Sequence, residues 1–270
     1  MSDQPAPLIP SATILLIRET PELQVFMAKR HHQIDFASGA LVFPGGKSTD
    51  DDTDSGWAAR CDGDLGDLTT AGISAIRETW EESGLLFARH ATTRGPGAPL
   101  IDAEAATKLD PHRAAVDKGE TSFHDLIAAN ELVLALDRLT PYAHWITPEM
   151  MPKRFDTRFF LAETPAGQTA AHDGREATAS EWLTPAEALR REAAGEATIL
   201  FPTRLNLEWL THAATCAEAI EQAKSRTIIP VMPKIIEQDG EKCLSIPPEA
   251  GYRLNIQPLA KERANATRKG

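Results

Sequence analysis

"RETWEESGLL", residues 77–86, places Glu78, Glu81 and Glu82 within little more than one helical turn and then stops at Gly84. Positions i, i+3 and i+4 share one face of a helix, so the three carboxylates line one side. Ile73, Ile76 and Trp80 fall on the other side, which predicts a helix over 71–83 with one buried face and one acidic face. Like charges at these spacings repel by about 0.2–0.5 kcal/mol per pair even when exposed. Arg77 can pair with Glu81, but one cation does not neutralise three anions. A hard divalent cation with oxygen ligands would, and a solvated acidic face is the competing reading.

Outward from this helix, the chain has 270 residues, with 28 Lys and Arg against 39 Asp and Glu and a net charge of −11. An acidic surface repels phosphate backbones and anionic lipid, so neither nucleic acid nor membrane is an expected partner. The basic "KERANATRKG" at 261–270 reads as a solvated polar tail. The first apolar run ends at Arg18 and has no positive flank before it, so no signal peptide or membrane span is expected and a cytoplasmic protein is. Cys61, Cys216 and Cys243 are odd in number and lack CxxC spacing, which indicates reduced thiols rather than a disulfide framework or a zinc site.

Residues 11–17 and 24–28 are β-prone and separated by a proline-containing turn, so they predict paired strands. "ALVFPGGK" predicts a third strand ending at a Gly-Gly turn or at a close backbone approach to a ligand. The segment 48–70, rich in Asp, Gly and Thr, reads as a solvated surface loop with one helical turn near Trp57; it lacks the ligand spacing of a calcium loop. An amphipathic helix is expected over 122–139, strands over 142–146 and 157–162, and a strand at "EWLTP" leading into a helix capped by Thr184. A long helix over 203–224 and a hairpin within 227–246 complete the pattern.

"RETWEESGL" resembles the core of the Nudix box, which reads Arg-Glu, an apolar residue, any residue, Glu-Glu, any residue, Gly, then an apolar residue. Arg77, Glu78, Glu81, Glu82, Gly84 and Leu85 match it, and Thr79 replaces the aliphatic residue. That box begins with a glycine fourteen residues before the arginine and a glutamate eight before it. Counting back gives Gly63 and Thr69, so the glycine is better assigned to Gly46, with the acidic loop inserted after it and the first glutamate missing. The insertion is similar to the branch that includes the peroxisomal coenzyme A diphosphatases, and softer blocks such as "SATILLIR", "FPGGK" and "FPTRLNLEWL" extend the resemblance over most of 10–210.

The resemblance implies an α+β fold: a Nudix-type α/β/α sandwich with a mixed β-sheet, an insertion between the Gly-Gly turn and the helix, and a C-terminal helical and hairpin extension. The expected domain covers 8–210, with 47–70 as inserted loop and 95–140 as helical insertion; 211–270 packs on it or trails from it. The implied activity is hydrolysis of a pyrophosphate bond in a nucleoside diphosphate linked to another group, with Mg²⁺ or Mn²⁺ held by Glu78, Glu82, Glu81 and the Gly46 carbonyl. The proton acceptor is Glu81 or Glu176, and Arg77 orients Glu81. Arg30 and Lys47 are candidate phosphate contacts; His31, His32 and His172 read as polar surface. Trp145, Phe155, Phe159 and Phe160 are either lining for a base or pantetheine group or ordinary core. Coenzyme A or an acyl derivative is the first substrate to try, another dinucleotide or nucleotide sugar the second. A non-catalytic ligand-binding regulator is the reading from a different class. Homodimers are common in the family, which leaves that state open here.

Overall fold

The computed structural model describes residues 4–30, 39–95, 97–170 and 177–260. The chain opens with β1 (Leu8–Glu19) and β2 (Leu23–Arg30), an antiparallel pair with Ile17 opposite Val25. Strand β3 (Leu41–Val42) pairs with β2. The Gly-Gly pair is not a turn: β4 (Gly45–Lys47) is itself a strand on β1, with Gly45 opposite Thr13 and Gly46 opposite Ala12.

The acidic segment after it is not a solvated loop. It folds into short 3₁₀ turns at Asp51–Thr53, Ser55–Ala59 and Gly66–Leu68, with β5 (Cys61–Asp62) between the last two, and it buries Asp52 and Trp57. Charge-rich composition predicts solvation only when the charges lack partners, and here they have them. The Asp51 carboxylate accepts from the Ser122 hydroxyl at 2.5 Å and from the backbone N–H groups of Phe123 and His124 at 2.9 and 3.1 Å. Trp57 packs on Phe123, and Phe123 stacks on Trp80 with ring centroids 5.4 Å apart.

Helix α1 (Thr69–Ser83) follows, stopped by Gly84, whose left-handed φ of 76° lets its N–H reach the Trp80 carbonyl at 2.8 Å. Beyond it lie β6 (Ala88–His90), α2 (Ala103–Thr107), α3 (Arg113–Asp117), α4 (Phe123–Ala129) and β7 (Leu132–Ala135). The helix expected over 122–139 therefore ends at Ala129. Glu131 takes a positive φ of 54°, and the wholly buried run Leu132–Ala135 pairs as the central strand between β5 and β6. A four-residue apolar run fits a helix or a strand equally well, and tertiary pairing decides.

Strands β8 (Thr140–Ile146), β9 (Arg154–Glu163) and β10 (Ala177–Leu183) complete the main sheet, ordered β10-β2-β1-β9-β8. It is mixed, because β1 and β9 run parallel while the other pairs are antiparallel. Helix α5 (Pro185–Ala193) starts at Thr184, whose hydroxyl accepts from the Glu187 N–H. The helix expected over 203–224 is two helices, α6 (Phe201–Leu210) and α7 (Cys216–Ser225). A reciprocal cap separates them: Thr215 accepts from the Glu218 N–H while the Glu218 carboxylate accepts from the Ala214 N–H. The remaining strands β11 (Lys234–Gln238), β12 (Glu241–Ser245) and β13 (Ile256–Pro258) form a small antiparallel sheet.

Alternation along β1 builds both cores. Ala12, Ile14 and Leu16 pack toward α1 with Ile73, Ile76 and Trp80, while Leu15 and Ile17 pack toward residues of α5, α6 and α7. Helices thus cover both faces of a mixed sheet, as the α/β/α expectation requires. Trp145, Phe159 and Phe160 are buried core, which decides against a ligand-lining role for these three; Phe155 is half-buried. Past residue 210, Ala219, Ala223, Val231 and Tyr252 join the core under α5 and α6. Among the described residues no helix is long and apolar enough to cross a membrane.

Candidate active site

The site forms where the acidic face of α1 meets β4. Gly45 donates its N–H to Glu82 Oε2 at 3.1 Å. A Cβ added to Gly46 would lie 2.4–2.6 Å from the Glu78 carboxylate, so glycine is what lets Glu78 keep this position against the strand. Two carboxylates, one helical turn apart, are therefore pressed against the Gly45–Gly46 backbone. The glycines serve a close approach, though to side chains of the same chain.

Arg77 lies behind them. Its guanidinium makes a two-point contact with Asp52 at 2.8 and 2.9 Å, reaches Glu78 at 3.0 Å and both Glu81 oxygens at 3.1 Å, and donates to the Lys47 carbonyl at 2.7 Å. Burial alone would lower the pKa of Arg77; the Asp52 hydrogen bonds, with the charges of Glu78 and Glu81, overcome that and raise it. Asp52 is 1% exposed and also accepts from the Ser74 hydroxyl and the Thr49 N–H.

Glu81 is 4% exposed and faces Arg77 rather than solvent. Burial pushes its carboxyl up to about 8; Arg77 pulls it down, and Glu78 and Asp117 add to the rise. The backbone carbonyl of Glu81 accepts twice from Arg113, at 3.1 and 2.7 Å. The acidic face is consequently divided: Glu78 and Glu82 meet β4, and Glu81 belongs to a buried ionic knot.

Among the described residues no group of three or more His, Cys, Asp or Glu side chains is arranged to hold a metal ion. The donor chemistry nevertheless fits a hard divalent cation in its usual protein setting, in which one or two carboxylates bind it and substrate phosphates and water complete the shell. Glu78 and Glu82 are the side chains that could hold such an ion.

The other expected residues are more scattered. Arg30 ends β2 half-buried on the α1 side of the sheet, since Phe26 and Ala28 of the same strand pack there. Lys47 is exposed, and alternation turns its side chain away from the face that Gly46 presents; only its carbonyl joins the site. Glu176, His172, His31 and His32, like the basic tail 261–270, lie outside the described residues.

Asp52 is the residue that the sequence reading missed. Its signal was present: the box glycine and first glutamate are six residues apart, and six forward from Gly46 is Asp52. Counting back from Arg77 fails because twenty-five positions separate Asp52 from it.

A glutamate-bearing helix laid on a Gly-Gly strand of a mixed sheet, with helices on both faces, defines the Nudix class of fold. A NUDIX hydrolase from Alicyclobacillus acidocaldarius has this fold, with a TM-score of 0.68 and 26% identity over 83% of this chain and 98% of that one. The family model for the NUDT19 Nudix domain matches residues 65–208, more than half of the chain, and the chain belongs to that family. Among curated relatives, the acyl-coenzyme A diphosphatase NUDT19 of Xenopus laevis is 26% identical over 238 residues, covering 74% of this chain and 62% of that protein. The putative nudix hydrolase 7 of Caenorhabditis elegans is 28% identical over 189 residues, covering 69% of this chain and 55% of that protein. The chain thus spans less than two thirds of the length of these relatives.

Proposed function

We propose that the protein hydrolyses a pyrophosphate bond in a nucleoside diphosphate linked to another group, with coenzyme A or an acyl-coenzyme A as substrate and Mg²⁺ or Mn²⁺ as cofactor. The observation that carries this reading is the pair Glu78 and Glu82 held against Gly45–Gly46 with the Arg77–Asp52–Glu81 knot behind it. Relatives named acyl-coenzyme A diphosphatases support the choice of substrate.

A divalent ion bound by Glu78 and Glu82 would neutralise phosphate charge and acidify a water. The chain's own residues do the rest by position. Arg77 holds Glu78 and Glu81 in fixed rotamers, and Asp52 holds Arg77. In the reaction, a water oxygen bonds to one phosphorus and the anhydride P–O bond breaks. The bridging oxygen leaves with the second phosphate, and a carboxylate takes the water proton. Glu81, which Arg77 orients through both carboxylate oxygens, is one candidate to accept that proton; Glu176 is the other.

The test is to incubate the purified protein with coenzyme A, acyl-coenzyme A, NADH, ADP-ribose and nucleotide sugars in Mg²⁺ or Mn²⁺, with product identification by mass spectrometry. Release of 3′,5′-ADP and a phosphopantetheine from coenzyme A by the unmutated protein, lost in Glu82→Gln, is the expected result. No cleavage of any diphosphate would overturn the reading and favour a ligand-binding regulator.

A further inference from the structure

Gly46, Ala12, Arg158 and His144 form one row across the main sheet. Ala12 lies opposite both Gly46 on β4 and Arg158 on β9, and Arg158 lies opposite His144 on β8. Residues in register on neighbouring strands project to the same face. Ala12 packs toward α1, as does Phe160, two residues beyond Arg158. Ala143 and Trp145, on either side of His144, pack toward the opposite face. The row therefore faces α1, the side on which Gly46 meets Glu78.

Two strand spacings, about 10 Å, separate the backbones of Gly46 and Arg158. Between them in the row stands Ala12, fully buried under α1. The partly exposed Arg158 and the Glu78 carboxylate therefore flank the same covered stretch of the sheet.

Arg158 is also held so that its donors stay usable. Its side chain is 36% exposed, and its Nε is 3.8 Å from Asp156 Oδ1, beyond hydrogen-bonding distance. The same Oδ1 is 2.5 Å from His144 Nε2. The His144 side chain is 6% exposed, and its Nδ1 has no partner among the described residues. Packing thus fixes His144, His144 fixes Asp156, and Asp156 tethers the guanidinium by charge without consuming its hydrogen bonds. The carboxylate side of the site is strongly anionic, and Arg77 is buried among four polar partners there. A polyanionic substrate needs a cation on its other side, and a guanidinium suits phosphate geometry.

We propose that Arg158 binds the phosphoryl group of a nucleoside diphosphate that lies farther from Glu78 and Glu82, with His144 and Asp156 as its positioning pair. This rests on the hydrolase reading above. Calorimetric titration of ADP and of adenosine, in Mg²⁺, into the unmutated protein, Arg158→Gln and Arg158→Lys tests it. Arg158→Gln should weaken ADP binding at least tenfold and leave adenosine binding unchanged, with Arg158→Lys intermediate; in hydrolysis, KM should rise more than kcat falls. Equal weakening of ADP and adenosine would assign Arg158 a structural role and overturn the proposal. Unchanged ADP affinity in Arg158→Gln would also overturn it, while hydrolysis that is lost in Glu82→Gln would keep the hydrolase reading intact. An unmutated protein that neither binds ADP nor cleaves a diphosphate would remove both.

Discussion

Arg77 and Asp52 meet in a buried two-point contact, Nε to Oδ1 at 2.8 Å and Nη2 to Oδ2 at 2.9 Å, across twenty-five positions of sequence. This contact fastens the acidic segment around Asp52 to the helix that carries the glutamates. Removing one partner of a buried pair leaves the other charge uncompensated, at a cost of about 3–5 kcal/mol. Asp52→Ala should therefore lose roughly that much stability in urea titration and lower hydrolysis as well, because Glu78 and Glu81 both depend on the Arg77 rotamer. A change under about 1 kcal/mol, the range of a surface pair, would show that the contact does not hold the segment.

The two glycines of β4 separate stability from chemistry. At Gly45 a Cβ would sit 2.4 Å from the Ala12 carbonyl and 2.6 Å from Thr13 Cα, both backbone atoms that cannot move without breaking the strand pair. At Gly46 it would meet the Glu78 carboxylate, the end of a side chain that can swing away. Gly45→Ala should lower the melting temperature by several degrees, whereas Gly46→Ala should melt near the unmutated protein and lose Mn²⁺ affinity and hydrolysis. Thermal denaturation and Mn²⁺ titration of the two variants check this; equal melting losses would contradict it.

Glu78 and Glu82 are like charges one helical turn apart, so neutralising one of them relieves a repulsion. Glu82→Gln keeps an oxygen able to accept from the Gly45 N–H and should melt no lower than the unmutated protein. Hydrolysis should fall by two or more orders of magnitude, about 3 kcal/mol or more at the transition state. Scanning calorimetry beside the product assay gives both readouts, and a large melting loss would make these carboxylates structural.

The helix and its glutamates are legible because Ile73, Ile76 and Trp80 recur at helical spacing, although the packed helix buries Arg77, Thr79 and Glu81 as well, and β1 and β2 are legible because both are apolar on both faces. Where reading failed, a local signal was outweighed by a distant partner. Asp51 and Asp52 look solvated in sequence, and helix amides, a serine hydroxyl and a guanidinium far along the chain hold them, Asp51 half-buried and Asp52 buried. Leu132–Ala135 reads as helix until β5 and β6 claim it. The break at Thr215 is different, since its threonine and the glutamate three residues later were visible and outweighed by the helical run around them.

That cap gives its own test. Thr215 Oγ1 accepts the Glu218 N–H at 3.1 Å, so Thr215→Ala should cost about 1 kcal/mol. Urea titration reads the loss, and Thr215→Ser should restore most of it. No loss in Thr215→Ala would mean that packing of Cys216, Ala219 and Ala223 alone fixes the start of α7.

His144 gives stability a pH dependence with a fixed sign. Burial lowers its pKa from the ordinary 6.5, opposed by the hydrogen bond to Asp156, with Arg158 adding to the fall and the Asp156 charge to the opposition. The unfolded chain then takes up the proton first as the pH drops, so it binds more protons than the folded protein below about 6.5. The neutral imidazole's contribution is complete above the unfolded value and is lost as pH falls through the lower folded value. The urea midpoint of the unmutated protein should therefore fall between pH 7.5 and pH 5 more steeply than that of His144→Gln, which lacks the group. Parallel curves for the two proteins would show that His144 titrates alike in both states, and that its burial on the α1 side of β8 costs the imidazolium nothing.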